Sequence, residues 1–178
     1  MTIIVLDTET TGLLLPSSVP LHEQPRIIEF GALKVDFFGN VLESYNQLIN
    51  PCVEIEPKIT KITGIKNEDL KGQPEFLDLL DDLKGFFSDA TLLICHNAVF
   101  DIGMLKLELK RCNCSDFNLD IDILCTVQEY RPAFGHRPSL KQLYQRYIGV
   151  PLQQTHRAMD DAKALLDVLN KDNFFSKI

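Results

Sequence analysis

Residues 3–13 read IIVLDTETTGL. An apolar run of Ile3, Ile4, Val5 and Leu6 passes straight into Asp7 and Glu9. Such a run reads as a buried strand, and in a strand residues i and i+2 share a face. Asp7 and Glu9 then stand side by side at the end of that strand, where they repel each other and lose hydration. Taken alone, the pair also fits an ordinary strand-end turn, so the rest of the chain has to decide.

Downstream of this strand, Gly12, Pro16, Ser17, Ser18, Pro20 and Pro25 break up a turn-rich loop. RIIEFGALKVDF (26–37) and VLESYNQLIN (41–50) then read as two strands joined at Gly39-Asn40, a hairpin dipeptide. Residues 59–65 form a short helical turn between proline-bounded loops. Pro74 opens an amphipathic helix with Phe76, Leu79, Leu80, Leu83, Phe86 and Phe87 at steps of three and four. TLLIC (91–95) is a short buried strand, and a helix follows from about Ala98 with Ile102, Leu105, Leu109 and Cys112 on one stripe. Residues 119–130 and 139–148 read as further helical pieces, the second capped by Ser139. A last helix begins near Ala158. The order β-β-β-α-β-α, then helices, predicts a mixed α/β sheet with helices on both faces. With no repeat or linker, residues 1–178 are expected to be one domain.

Hydrophobic content is 45% and charged content 24%, ordinary for a globular protein. No apolar stretch approaches the roughly 20 residues of a membrane helix, and no signal-peptide pattern opens the chain. No membrane association is expected. The five cysteines are odd in number and form no disulfide framework. Cys112 and Cys114 lack a second pair at zinc-finger spacing, so they are expected to be reduced structural thiols. These features place the chain in a reducing, cytoplasmic compartment.

The net charge of −7 argues against a nucleic-acid binder, but its distribution does not. From Tyr130 to Met159 there is no acidic residue, while Arg131, Arg137, Lys141, Arg146 and Arg157 are present. This stretch is either a solvated helix face or a local phosphate-attracting surface.

Two more acidic stretches follow. In HNAVFD (96–101), Asn97 reads as an N-cap, and Asp101 shares the apolar stripe with Leu105 and Leu109. An acid on the buried side of a first turn needs a partner, even with the helix dipole in its favour. In HRAMDD (156–161), Asp161 falls on the stripe with Ala158, Ala162, Leu165 and Leu169. Asp160 falls with Lys163, Ala164 and Asp167 on the wetter side. His156 sits in the loop before this helix, placed to lean over a site. Asp7, Glu9, Asp101 and Asp161 thus make four inward carboxylates, which stay ionised together only if cations lie among them. Oxygen donors suit Mg²⁺ or Mn²⁺, and two such ions balance four charges in the arrangement used for in-line displacement at phosphorus. His156 is the candidate base, since an imidazole titrates near neutrality. His96 has a structural role at a strand end.

DTETTGL, HNAVFD and HRAMDDA, in this order, resemble the DnaQ-like 3′–5′ exonucleases of the DEDDh class, which include proofreading domains and subunits of DNA polymerases. RIIEFGALKVD, KITGI and SLKQL extend the resemblance over about residues 3–169. It implies an RNase H-like fold with a mixed five-stranded sheet flanked by helices. It implies two divalent cations, Mg²⁺ or Mn²⁺, held by Asp7, Glu9, Asp101 and Asp161, with His156 as general base. It places Thr8, Thr10, Gly12, Leu13, Gly64, Asn97 and Phe100 around a terminal nucleotide. Single-stranded DNA 3′ ends rank first as substrate and nucleoside 5′-monophosphates as product, in proofreading or repair, with a DNA polymerase as the expected protein partner. An exoribonuclease on short or structured RNA ranks second, and a non-catalytic 3′-end-binding module third. The proline-rich excursion from Leu14 to Pro25 is longer than the family usually shows; it either shapes the substrate entrance or is a neutral surface loop.

Overall fold

The computed structural model describes residues 2–117 and 119–178. The strands are β1 (Thr2–Thr10), β2 (Ile27–Val35), β3 (Val41–Leu48), β4 (Ala90–Cys95) and β5 (Asp122–Cys125). The helices are α1 (Pro57–Thr63), α2 (Asn67–Leu70), α3 (Leu80–Phe87), α4 (Ala98–Arg111), α5 (Thr126–Glu129), α6 (Arg131–Phe134), α7 (Leu140–Ile148) and α8 (Ala158–Lys171). Short 3₁₀ turns cover Phe76–Leu79 and Phe174–Ser176. The strands form one mixed sheet in the order β3-β2-β1-β4-β5. β1–β2 and β2–β3 are antiparallel, and β1–β4 and β4–β5 are parallel.

Alternation along β1 sorts the core. Ile4 and Leu6 face the layer of α3 and α4, with Leu83, Phe87, Met104 and Leu105. Ile3 and Val5 face the layer of α7 and α8, with Leu143, Leu165, Val168 and Leu169. Each fully buried Leu or Ile contributes about 1.5–3 kcal/mol, so the two layers clamp β1 from both sides. Its odd-numbered acids therefore look toward α8, and Thr8 looks toward α4.

The first three strands and their hairpin agree with the sequence reading: Asp36 accepts hydrogen bonds from the backbone N–H of Phe38 and of Asn40, and Gly39 takes φ 80°. Three readings are corrected. Residues 122–125 are a strand beside β4, not helix; only Thr126–Glu129 make a helical turn. Four residues are too few to show a period, and pairing with β4 fixes them. The helix expected from Pro74 starts as a 3₁₀ turn and becomes α-helical only at Leu80. Ala164 is buried, because α8 packs on α7 as well as on β1 and β2.

β2 is buried along its whole length. Gly31 lies opposite Asp7 in the β1–β2 ladder. A Cβ there would run into the backbone of Ala158 and Met159, 2.5 Å from the Ala158 carbonyl carbon, so α8 begins in direct contact with bare β2 backbone. Among the described residues no helix is long and apolar enough to cross a membrane, and all five cysteines are free thiols.

Candidate active site

Asp7 and Glu9 emerge at the carboxyl end of β1, next to the parallel strand β4 and its helix α4. Such strand ends are where open α/β sheets place their sites. Asp101 is held on the first turn of α4 and is 2% exposed. Its Oδ1 accepts the Thr8 hydroxyl at 2.8 Å and the Thr8 backbone N–H at 3.1 Å. Asp161 lies on the first turn of α8 and is buried; Asp160 is exposed and accepts the Thr155 hydroxyl at 2.8 Å. Periodicity chose correctly between these two acids. Gln154 donates to Asp161 Oδ2 at 2.5 Å.

His156 lies in the loop before α8 with φ 52°, a left-handed conformation uncommon for a residue with a side chain. One atom each from Glu9, His156 and Asp161 falls within 4.8 Å of the others, a spacing suited to a shared cation. The imidazole thus stands over the carboxylates, as its loop position suggested.

The acids perturb one another. Burial first, then the charges of Asp101, Asp161, Glu9 and Glu29, push Asp7 well above the ordinary carboxylate range. Glu9 rises to about 8 through burial and the charges of Asp161, Glu29 and Asp101, with Arg157 opposing. Asp101 rises to about 7 by burial, against the two Thr8 hydrogen bonds. Burial also raises Asp161, and Gln154 and His156 offset part of this. Four carboxyl groups this reluctant to ionise, all presenting hard oxygen atoms, fit divalent cations such as Mg²⁺ or Mn²⁺.

Beside Glu9 runs a groove of about 830 Å³. Thr8, Thr10, Gly12, Leu13 and Phe100 line it; Thr10 Oγ1 donates to the Gly12 carbonyl at 2.7 Å, and Leu13 is 78% exposed. Gly64 stands one residue beyond the groove, closing α1 after the lining residue Thr63. Asn97 is not in the groove wall and does not cap α4 with its side chain. It adopts φ 75° and its Oδ1 accepts from Arg137 at 2.9 Å.

The excursion from Leu14 to Pro25 forms the far wall, through Leu15, His22, Glu23, Gln24 and Pro25. It is stapled in place. The buried Gln24 amide accepts the Leu15 N–H at 3.2 Å and donates to the Pro16 carbonyl at 3.0 Å. Arg111 on α4 donates to the carbonyls of Leu21, Gln24 and Pro25 and pairs with the buried Glu108. His96 packs away from the groove, 3.0 Å from the Thr126 hydroxyl, and burial lowers it to about 4, so it is neutral near pH 7.

Sequence reasoning passed over Glu29 and Gln154, and named Arg157 only as part of the basic stretch, not as the partner of Glu29. Glu29 left a signal: a charge inside the otherwise apolar IIEFGAL. Gln154 left none, because its role depends on where the loop turns.

The exonuclease family model RNase_T matches residues 4–169. The chain is similar to DNA polymerase III PolC-type of Clostridium perfringens, at 34% identity over 93% of this chain but 11% of that protein. It is similar to DNA polymerase III subunit epsilon of Treponema pallidum, at 33% identity over 91% of this chain and 72% of that protein. The chain therefore spans a small part of one relative and most of the other. Its fold matches the nuclease domain of 3′hExo, described as a DEDDh family member bound to rAMP, with a TM-score of 0.76 at 14% identity over 97% of this chain and 92% of that one. The mixed five-stranded sheet is thus the RNase H-like sheet that the motifs implied. With its model matched over nearly the whole length, this chain belongs to the exonuclease family, as a DnaQ-like 3′–5′ exonuclease of the DEDDh class.

Proposed function

We propose that the chain hydrolyses the terminal phosphodiester bond at the 3′ end of single-stranded DNA, releasing nucleoside 5′-monophosphates in proofreading or repair. The observation that carries this reading is the meeting of ligand atoms of Glu9, His156 and Asp161 within 4.8 Å of one another, with Glu9 also lining the groove. Asp7, Glu9, Asp101 and Asp161 would hold two divalent cations, Mg²⁺ or Mn²⁺. When bound, such a pair supplies charge stabilisation at the phosphoryl group and lowers the pKa of a water.

The chain's own residues do the rest. His156 accepts the proton of the attacking water and hands it to solvent. Thr8, Thr10 and Gly12 line the groove beside the terminal sugar, Thr8 while donating to Asp101 and Thr10 while donating to the Gly12 carbonyl, with Gly64 and Asn97 at the margins. Leu13 and Phe100 give the base an apolar surface to stack against. The wall from Leu14 to Pro25 limits how the strand enters. The preference for DNA over RNA is supported by the relatives named as DNA polymerase III PolC-type and DNA polymerase III subunit epsilon, and the same names support a polymerase as partner.

Incubation with 5′-labelled DNA and RNA oligonucleotides, with Mg²⁺, Mn²⁺ or EDTA, tests the reading. A ladder that shortens from the 3′ end of DNA and vanishes with EDTA is expected. Faster shortening of RNA would reassign the substrate, and binding without cleavage under either metal would leave a non-catalytic end-binding module.

A further inference from the structure

Glu29 is 1% exposed on β2, directly across the ladder from Glu9. Cross-strand partners share a face, so two like charges stand together there. The charge of Glu29 is nonetheless fully engaged. Arg157 donates Nη2 to its Oε1 at 2.7 Å and Nε to its Oε2 at 3.0 Å, and the Ala158 backbone N–H donates to Oε2 at 2.9 Å. Arg157 follows His156 and Ala158 starts α8, so one buried carboxylate grips the two residues after His156.

We propose that Glu29 is a positioning residue: through the Arg157 fork and the Ala158 amide it holds His156 over Glu9 and Asp161. Three observations converge on this. His156 occupies a strained left-handed conformation, which persists only where the surroundings over-determine it. Arg157 does not cap α8 with its own side chain, so Glu29 satisfies the first amide from another element. Gly31, two residues along β2 on the same face, lets the Ala158–Met159 backbone sit against the sheet. The planar guanidinium fork fixes orientation as well as distance, which a lysine at the same place would not. The inference rests on His156 acting as proposed above.

The test pairs Glu29→Gln with a His156→Ala background. Glu29→Gln keeps an acceptor for the Ala158 amide but loses the charged fork. It is expected to lower kcat about 10- to 100-fold, the scale of a misplacement of about 1 Å, with KM within about twofold. In the His156→Ala background the same change is expected to cost nothing further, because the group it positions is gone. Arg157→Lys should fall between wild type and Glu29→Gln. Independently of turnover, the imidazole NMR signals of His156 in the metal-free chain should shift or split in Glu29→Gln, while those of His22, exposed and paired with Glu23, stay fixed. A full additional loss in the His156→Ala background, or unmoved His156 signals in a folded Glu29→Gln protein, would overturn the proposal. A wild-type chain that cleaves no nucleic acid would instead remove the exonuclease reading of the site, and the imidazole signals would still decide the positioning.

Discussion

Thr8 gives both its backbone N–H and its hydroxyl to one oxygen of Asp101, across 93 residues of sequence. Hydrogen bonds to a carboxylate favour its charged form. These two oppose the burial that lifts Asp101 to about 7. Thr8→Val removes the hydroxyl and spares the amide, so Asp101 is expected to titrate higher still. A carboxyl ¹³C titration of the metal-free chain checks the direction; a fall would show that Thr8 is not the relevant donor.

The raised acids set the pH dependence of stability. Asp7, Glu9 and Asp101 hold protons more tightly folded than unfolded, so the metal-free fold binds more protons than the unfolded chain. Their contribution to stability is therefore fully present below the ordinary carboxylate range and is lost as pH rises toward about 7 to 8. Mn²⁺ supplies the missing positive charge, and its stabilising increment should be larger at pH 8 than at pH 5. Thermal melts with EDTA or Mn²⁺ at both values test this, and equal increments would contradict it.

Asp7 is penalised by every other acid of the site. Asp7→Asn should abolish metal-dependent turnover while raising the melting temperature in EDTA. An activity assay and a melt on the same preparation separate the two effects. Loss of both activity and stability would point to a structural role instead.

For His156→Ala the expected loss is about 10²–10⁴-fold in kcat, the usual share of a general base. An unchanged rate would remove His156 from the mechanism.

On the basic side, Arg137 is anchored at Asn97 and Lys141 lies close enough to lower Asp161. This places part of the acid-free stretch at the rim of the site. Arg146 is engaged within its own region, over the Phe134 ring and at the Ala133 carbonyl. Replacing Arg137 and Lys141 by Ala should reduce the slope of log affinity for single-stranded DNA against log salt by about 0.7 per lost phosphate contact. Fluorescence titrations at several salt concentrations measure it, and an unaltered slope would assign the stretch to a solvated face.

Much of this was legible in the sequence because the signals are local and periodic. The 100° step separated Asp161 from Asp160, and the period of two put Asp7 and Glu9 together. β5 was not legible from its own residues, since DILC is too short to show a pattern and depends on β4 for its conformation. The side-chain contacts of Asn97 and Gln154 were equally hidden. Each follows from where a loop brings a distant or irregular segment, which neither composition nor spacing encodes. The status of the Leu14–Pro25 wall needed Arg111, some 90 residues away, to become visible.

Gly31 acts as a gauge block. Asp7 and Glu9 travel with β1, whereas His156 and Asp161 travel with the start of α8, and the two groups meet where α8 rests on a residue with no side chain. A single methyl group there would wedge one pair of chemical groups away from the other without touching either. The tolerance of this proposed catalytic geometry is thus set by the thickness of a polypeptide backbone. Drift at this seam would detune the site while leaving every one of its acids in the sequence.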